Sequence, residues 1–124
     1  MTQEKEDKRT LGVTQEGAAL LESIMDTDWF NEEMDAYRTA ISLAFAHGLV
    51  VEPREMAGAT TKWNIGTLDP DGKLRSMVVA LSSEEVDRPY AHAERRAAAG
   101  LRYLKSRLVD EKAELSNVLM PEET

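Results

Sequence analysis

From Thr14 to Leu49 the apolar residues recur at three- and four-residue intervals, interrupted once by an acidic corner, and this pattern dictates a pair of helices. Thr14 is placed to cap the first, because its hydroxyl can accept from first-turn donors that lack intrahelical partners; Glu16 follows where the helix dipole favours negative charge. The spacing predicts a helix over 15–29, with Leu20, Leu21, Ile24, Met25 and Trp29 on one stripe. Asn31 is the expected cap of a second helix, which carries Met34, Tyr37, Ile41 and Phe45 beside the small residues Ala36, Ala40 and Ala44. Gly48 should end it, since the position past a helix end often needs a positive φ, and Leu49 can fold back onto the last turn. Two apolar stripes need cover, which the rest of the chain must supply.

The longest helical pattern begins at Pro89. Tyr90, Ala93, Ala97, Leu101, Leu104 and Leu108 form its stripe, and the alanines at 97–99 permit close helix approach. Gly100 reads as a local weakness of roughly 1 kcal/mol relative to alanine. The register is expected to run on through Lys112, Leu115 and Leu119, leaving a far end that projects from the body unless something packs on it: either a partner contact through Leu115, Val118, Leu119 and Met120, or a frayed tail. Asp69, Pro70, Asp71 and Gly72 admit two readings: the turn of a hairpin between 63–68 and 73–81, or a helix start with Asp69 as cap and Pro70 in the first turn. Leu74, Met77, Val78 and Leu81 follow at helical spacing and favour the second reading. Arg9 to Val13 suits a short strand, with Leu11 and Val13 on one side and Lys8, Thr10 and Gly12 on the other. Trp63 and Ile65 suit a second brief strand or a loop anchor, and Ser82 to Glu85 a break. The reading is a mainly α protein, a compact helical domain of four to five helices over 9–119. It has an N-terminal helix pair, a long C-terminal helix, and room for a short N-terminal strand or small β-hairpin, between flexible tails at 1–8 and 120–124.

At 124 residues the chain is long enough for one self-sufficient core, and without cysteine it has no disulfide framework, thiol nucleophile or cysteine-held zinc. The lack of cysteine makes a reducing cytoplasm the expected home, and no apolar run approaches membrane-spanning length, so no membrane contact is expected. The net charge of −8 is segregated. Glu16 to Asp35 holds seven acidic residues and no basic one, whereas Arg88 to Arg107 carries Arg88, Arg95, Arg96, Arg102, Lys105 and Arg107 against Glu94. Complementary blocks of this kind serve docking, self-association or an intramolecular match.

No catalytic constellation emerges: His47 and His92 lie far apart, and phosphate-binding, zinc-protease and nucleophile-elbow motifs are missing. Asp26, Asp28, Asn31, Glu32 and Glu33 offer oxygen ligands, but Trp29 and Phe30 interrupt the calcium-loop spacing, so they read as a solvated corner. Neither a metal nor another cofactor is expected. The short strand followed by two helices resembles a ribbon-helix-helix unit, which implies a dimeric DNA-binding regulator with Lys8, Thr10 and Gly12 facing base edges. Against this, Glu32, Glu33 and Asp35 would crowd a phosphate at the second helix's N-terminus, and the overall charge disfavours nucleic acid.

A second likeness lies in Asp35-Ala36-Tyr37-Arg38 leading to Ala44-Phe45-Ala46-His47-Gly48-Leu49, in Met77 to Leu81, and in Ala98-Ala99-Gly100-Leu101 with Leu104. These segments resemble small accessory proteins of bacterial DNA-phosphorothioation (Dnd-type) defence loci. The resemblance implies a non-enzymatic subunit that docks on a larger restriction or modification component. The expected function is therefore an accessory or adaptor protein of a genome-defence or regulatory complex, with a larger protein subunit or a second copy as partner. Candidate protein-binding residues are Arg95, Arg96 and Arg102 on the basic helix and Leu115 and Leu119 near its end.

Overall fold

The small residues of two helices decide how the molecule is assembled. The computed structural model describes residues 6–82 and 86–120. Helix α2 (Glu33–Ala46) and helix α5 (Pro89–Lys105) pack along each other with Ala36, Ala40 and Ala44 on one side and Ala93, Ala97 and Gly100 on the other, all buried. Gly100 is where the two backbones come closest. A Cβ there would overlap the Ala40 carbonyl, so the residue that reads as a weak point is what admits the contact.

Helix α1 (Gln15–Met25) closes over this pair with Leu21 and Ile24 fully buried. Thr14 caps it as expected, its Oγ accepting from the Gly17 N–H at 3.1 Å. The helix stops four residues short of Trp29. The Asp26, Thr27 and Asp28 amides close a tight turn, and Asp28 takes φ 63°, a left-handed conformation that aspartate tolerates better than most residues. Trp29 consequently leaves the stripe and is 44% exposed. Asn31 does not cap α2; Glu32 holds that position and makes no side-chain capping bond. Its far end follows expectation, with Gly48 at φ 66°, Gly48 N–H bonded to Phe45 O (3.3 Å) and Leu49 N–H to Ala44 O (2.7 Å).

Strand β1 (Thr10–Val13) pairs antiparallel with β2 (Thr60–Asn64), opposing Leu11 to Trp63 and Gly12 to Thr61 with an irregularity between them. That slip ends the expected alternation: Leu11, Gly12 and Val13 are all buried. The two-strand sheet lies against α1 and α5, and Tyr37 reaches from α2 to donate to the Gly12 carbonyl at 3.0 Å. Burial, with Glu94 nearby, pushes the Tyr37 phenol well above its ordinary pKa.

The hairpin reading of 63–81 is replaced by a short helix, α3 (Ile65–Leu68), a turn, and helix α4 (Lys73–Leu81), because the strand partner of 60–64 is β1. Asp69 does cap α4, but from before a turn that runs through Gly72. Its carboxylate accepts from the Leu74 and Arg75 amides (2.9 and 3.0 Å) and from the Tyr90 hydroxyl (2.7 Å), and Pro70 stays outside the helix.

After α5 the chain passes through a single π turn (Ser106–Asp110), then breaks at Lys112 with φ 55°. Helix α6 (Leu115–Leu119) follows with Val118 buried in the main core, so the far end does not project as one continuous helix. At the other end the expected tail is already structured from its sixth residue. Asp7 accepts from the Tyr90 and Ala91 amides (2.8 and 3.1 Å) and so caps α5, and Lys8 bonds Glu94. The remaining tail residues, 1–5 and 121–124, and most of the expected break (83–85) lie outside the described residues. The molecule is mainly α, with six helices and a two-strand antiparallel sheet among the described residues. No described helix is long and apolar enough to cross a membrane.

Candidate functional site

Basic residues recur at helical spacing along the first half of α5: Arg88 just before its start, then His92, with Arg95 and Arg96 three and four residues on, share one side. Facing them is the stretch after α2, where Val50 and the 3-10 turn Pro53–Met56 supply an apolar wall. Together with Lys8, Ser82 and Val86 they enclose an open cleft of about 690 Å³.

Backbone carbonyls and a histidine aim the cleft's arginines. Arg95 Nε donates to Val51 O (2.8 Å) and Arg88 Nε to Glu6 O (3.0 Å). Arg96 Nε donates to His92 Nε2 (3.1 Å), its Nη1 reaches Leu49 O (3.0 Å), and its guanidinium stacks 4.3 Å from the Phe45 ring centre. Accepting at Nε2 requires that nitrogen to be unprotonated. Burial, aided by Arg96 and Arg95, accordingly holds His92 below the usual histidine pKa. Burial and Arg95 also lower Arg96, though guanidinium stays cationic throughout the ordinary pH range.

One carboxylate lies in the floor. Glu94 is 5% exposed and fully committed: both oxygens accept from Lys8 Nζ (2.7 and 2.8 Å), and Oε2 also accepts from the Gly12 N–H (2.9 Å). Lys8 is itself only 31% exposed, so the pair is a partly buried, compensated unit rather than a surface ion pair. Asp87 is the other cleft carboxylate, and it is exposed.

The residues singled out in the sequence separate in space. Arg95 and Arg96 meet in the cleft, but Arg102 lies elsewhere, bridging Glu16 on α1 (2.8 Å) and Glu55 (3.3 Å). That bridge raises Arg102. Glu55 is lowered first by its bond from the Glu52 amide and then by Arg102. Part of the charge segregation is therefore an intramolecular match. Leu115 packs half-buried on the core, and Leu119 is 50% exposed.

Lys8, Thr10 and Gly12 do not present a common exposed face: Lys8 turns to Glu94, Thr10 Oγ1 contacts Thr61 Oγ1 (3.1 Å), and Gly12 is buried with both backbone groups engaged. Arg88, which belongs to the basic block but not to the candidate binding residues, joins the site together with His92 and the wall at Val50, Pro53 and Met56. The helical spacing of 88, 92 and 95 is visible in the sequence, but nothing there places the loop wall opposite. Among the described residues no three histidine or carboxylate side chains group to hold a metal ion. No protein-family model matches the chain, and neither a curated protein nor a solved structure does.

Proposed function

We propose that the chain is a non-enzymatic accessory or adaptor protein that docks on a larger protein subunit of a prokaryotic genome-defence or regulatory complex, and that the α5 cleft is its docking site. The observation that carries this reading is the cleft's make-up: oriented arginines beside apolar Val50, Pro53 and Met56, on a molecule that is otherwise acidic. Arginine anchors next to a water-excluding apolar wall are the composition of energetically important interface patches. The buried ionisable groups support a non-catalytic role, since Glu94, Asp69 and Tyr37 are each spent on holding segments together. The genome-defence setting rests on the sequence resemblance alone.

A photo-crosslinking residue in place of Met56, irradiated in the native cell, tests the reading. The expected result is one adduct with a larger protein, lost when Arg95→Gln is added. Absence of an adduct, or an adduct indifferent to Arg95→Gln, overturns it. So does a duplex-DNA mobility shift abolished by Lys8→Ala or Thr10→Ala, which would move the function to the DNA-binding reading.

A further inference from the structure

Each arginine of the cleft is fixed through Nε, and among the described residues each keeps at least one outer nitrogen unspent. Among the described residues, Arg88 and Arg95 use only Nε, and Arg96 leaves Nη2 without a partner. None of the three has a carboxylate of the described residues within ion-pair distance. Holding Nε sets the plane of the guanidinium fork before any ligand arrives, which reduces the entropy lost on forming paired hydrogen bonds to an oxyanion.

Lys8 adds to the positive charge of the cleft, whose lining carries Lys8, Arg88, Arg95 and Arg96 against Glu94 and Asp87. Glu94 in the floor would offset one arginine, but Lys8, which also lines the cleft, and the Gly12 amide compensate it. The occupant must be short. With a net charge of −8 the remaining surface repels an extended polyanion, whereas the arginines act within a screening length of about 8 Å. Spacing adds a constraint: Arg88 and Arg95 are about 10 Å apart along the helix axis at ~1.5 Å per residue. Same-side residues of an extended peptide recur every ~6.6 Å, so two acidic residues four positions apart span ~13 Å and bracket the arginine row, the long arginine side chains taking up the difference, while the residues between them can meet Val50, Pro53 and Met56.

Resting on the docking reading above, we infer that the cleft takes a short extended segment of the partner with Asp or Glu at alternate positions, gripped by the unspent outer nitrogens of Arg88, Arg95 and Arg96, and that Lys8 strengthens this grip by compensating Glu94.

Fluorescence anisotropy with a labelled peptide of alternating glutamate and valine, and with its glutamine counterpart, tests this on the full chain. The acidic peptide should bind and the glutamine peptide should bind at least roughly tenfold more weakly; Arg88→Gln and Arg95→Gln should each weaken acidic-peptide binding by about tenfold. Lys8→Met should weaken it as well, and Glu94→Gln added to Lys8→Met should restore it. Thermal melts confirm that each variant is folded, and if Lys8→Met alone is not, the double variant and the two arginine variants decide the matter. Equal binding of the two peptides overturns the inference, as does indifference to both arginine substitutions. Displacement of the peptide by an equal concentration of inorganic phosphate or duplex DNA overturns it too. If the peptide fails while the Met56 crosslink still depends on Arg95, acidic recognition is wrong and docking stands; loss of both removes both.

Discussion

The two halves of α5 are held by different physics. Its second half meets α2 through Ala97, Gly100 and Leu101, with no charged group at the contact, and stability there comes from shape: the backbones approach because no side chain separates them. Its first half is held by polar groups that compensate one another, with Asp7 on the free amides, Lys8 on Glu94, and Tyr90 on Asp69. A shape-held contact is intolerant of a single methyl and indifferent to salt. A charge-held one tolerates changes of size and responds to pH and to the loss of either partner. The cleft lies at the charge-held half, where oriented cations are available and the packing leaves an open volume.

The largest effect should come from the shape-held half. Gly100→Ala gains about 1 kcal/mol of helix propensity, yet its methyl would overlap the Ala40 backbone, so a net loss of roughly 2–4 kcal/mol is expected in urea unfolding. A neutral or stabilising result would break the contrast. Next is Asp69→Ala, which strips two amides of α4 and the Tyr90 hydroxyl of their acceptor and should lose about 2 kcal/mol.

Lys8→Met leaves Glu94 with one backbone donor and should lose about 1–2 kcal/mol, below the usual figure for a fully buried pair because Lys8 is partly exposed. Glu94→Gln in the same chain should recover part of that loss, which a purely steric role for Lys8 would not allow. At the alkaline end, burial and the bond to Asp69 raise Tyr90 to about 12 from 10.0. Its contribution is complete below pH 10 and is lost as pH rises through about 12, so the stability gap between wild type and Tyr90→Phe should narrow over that window.

The smallest effect belongs to His92. Its pKa is lower in the folded chain than the ordinary 6.5, so the unfolded chain binds more protons. Its contribution is present above pH 6.5 and falls as pH drops through the folded value. The melting-temperature difference between wild type and His92→Gln should therefore shrink on acidification, and a difference that is flat with pH would remove His92 from the charge-held set.

Local chemistry was legible in the residues wherever it acts over one or two turns. The Thr14 cap, the Gly48 and Leu49 closure, and the helical spacing from Leu74 to Leu81 are all interactions of neighbours, and the coordinates reproduce them. Misreadings arose where a distant segment supplies the deciding group. Lys8 is ordered because Glu94, more than eighty residues away, draws it in, whereas the early end of the first helix at Met25 is a local turn at Asp26 to Asp28 that the stripe running on to Trp29 conceals. The cleft divides the same way. Arg95 and Arg96 were readable as a basic helix face, while the Val50–Met56 wall exists only because the segment after α2 returns across α5.

By itself the sequence determined the class of the molecule, since three-to-four-residue periodicity leaves a short chain few alternatives to packed helices, and it determined the segregation of charge along the chain. Tertiary structure alone decided which charges are spent and which remain to bind. Arg102 is consumed by Glu16 and Glu55, Glu94 is compensated by Lys8, and among the described residues Arg88 and Arg95 keep both outer nitrogens and Arg96 one. The physical reason is range: a helix forms from contacts a few residues apart, but the pairing of a charge depends on what the fold brings within a few ångströms of it.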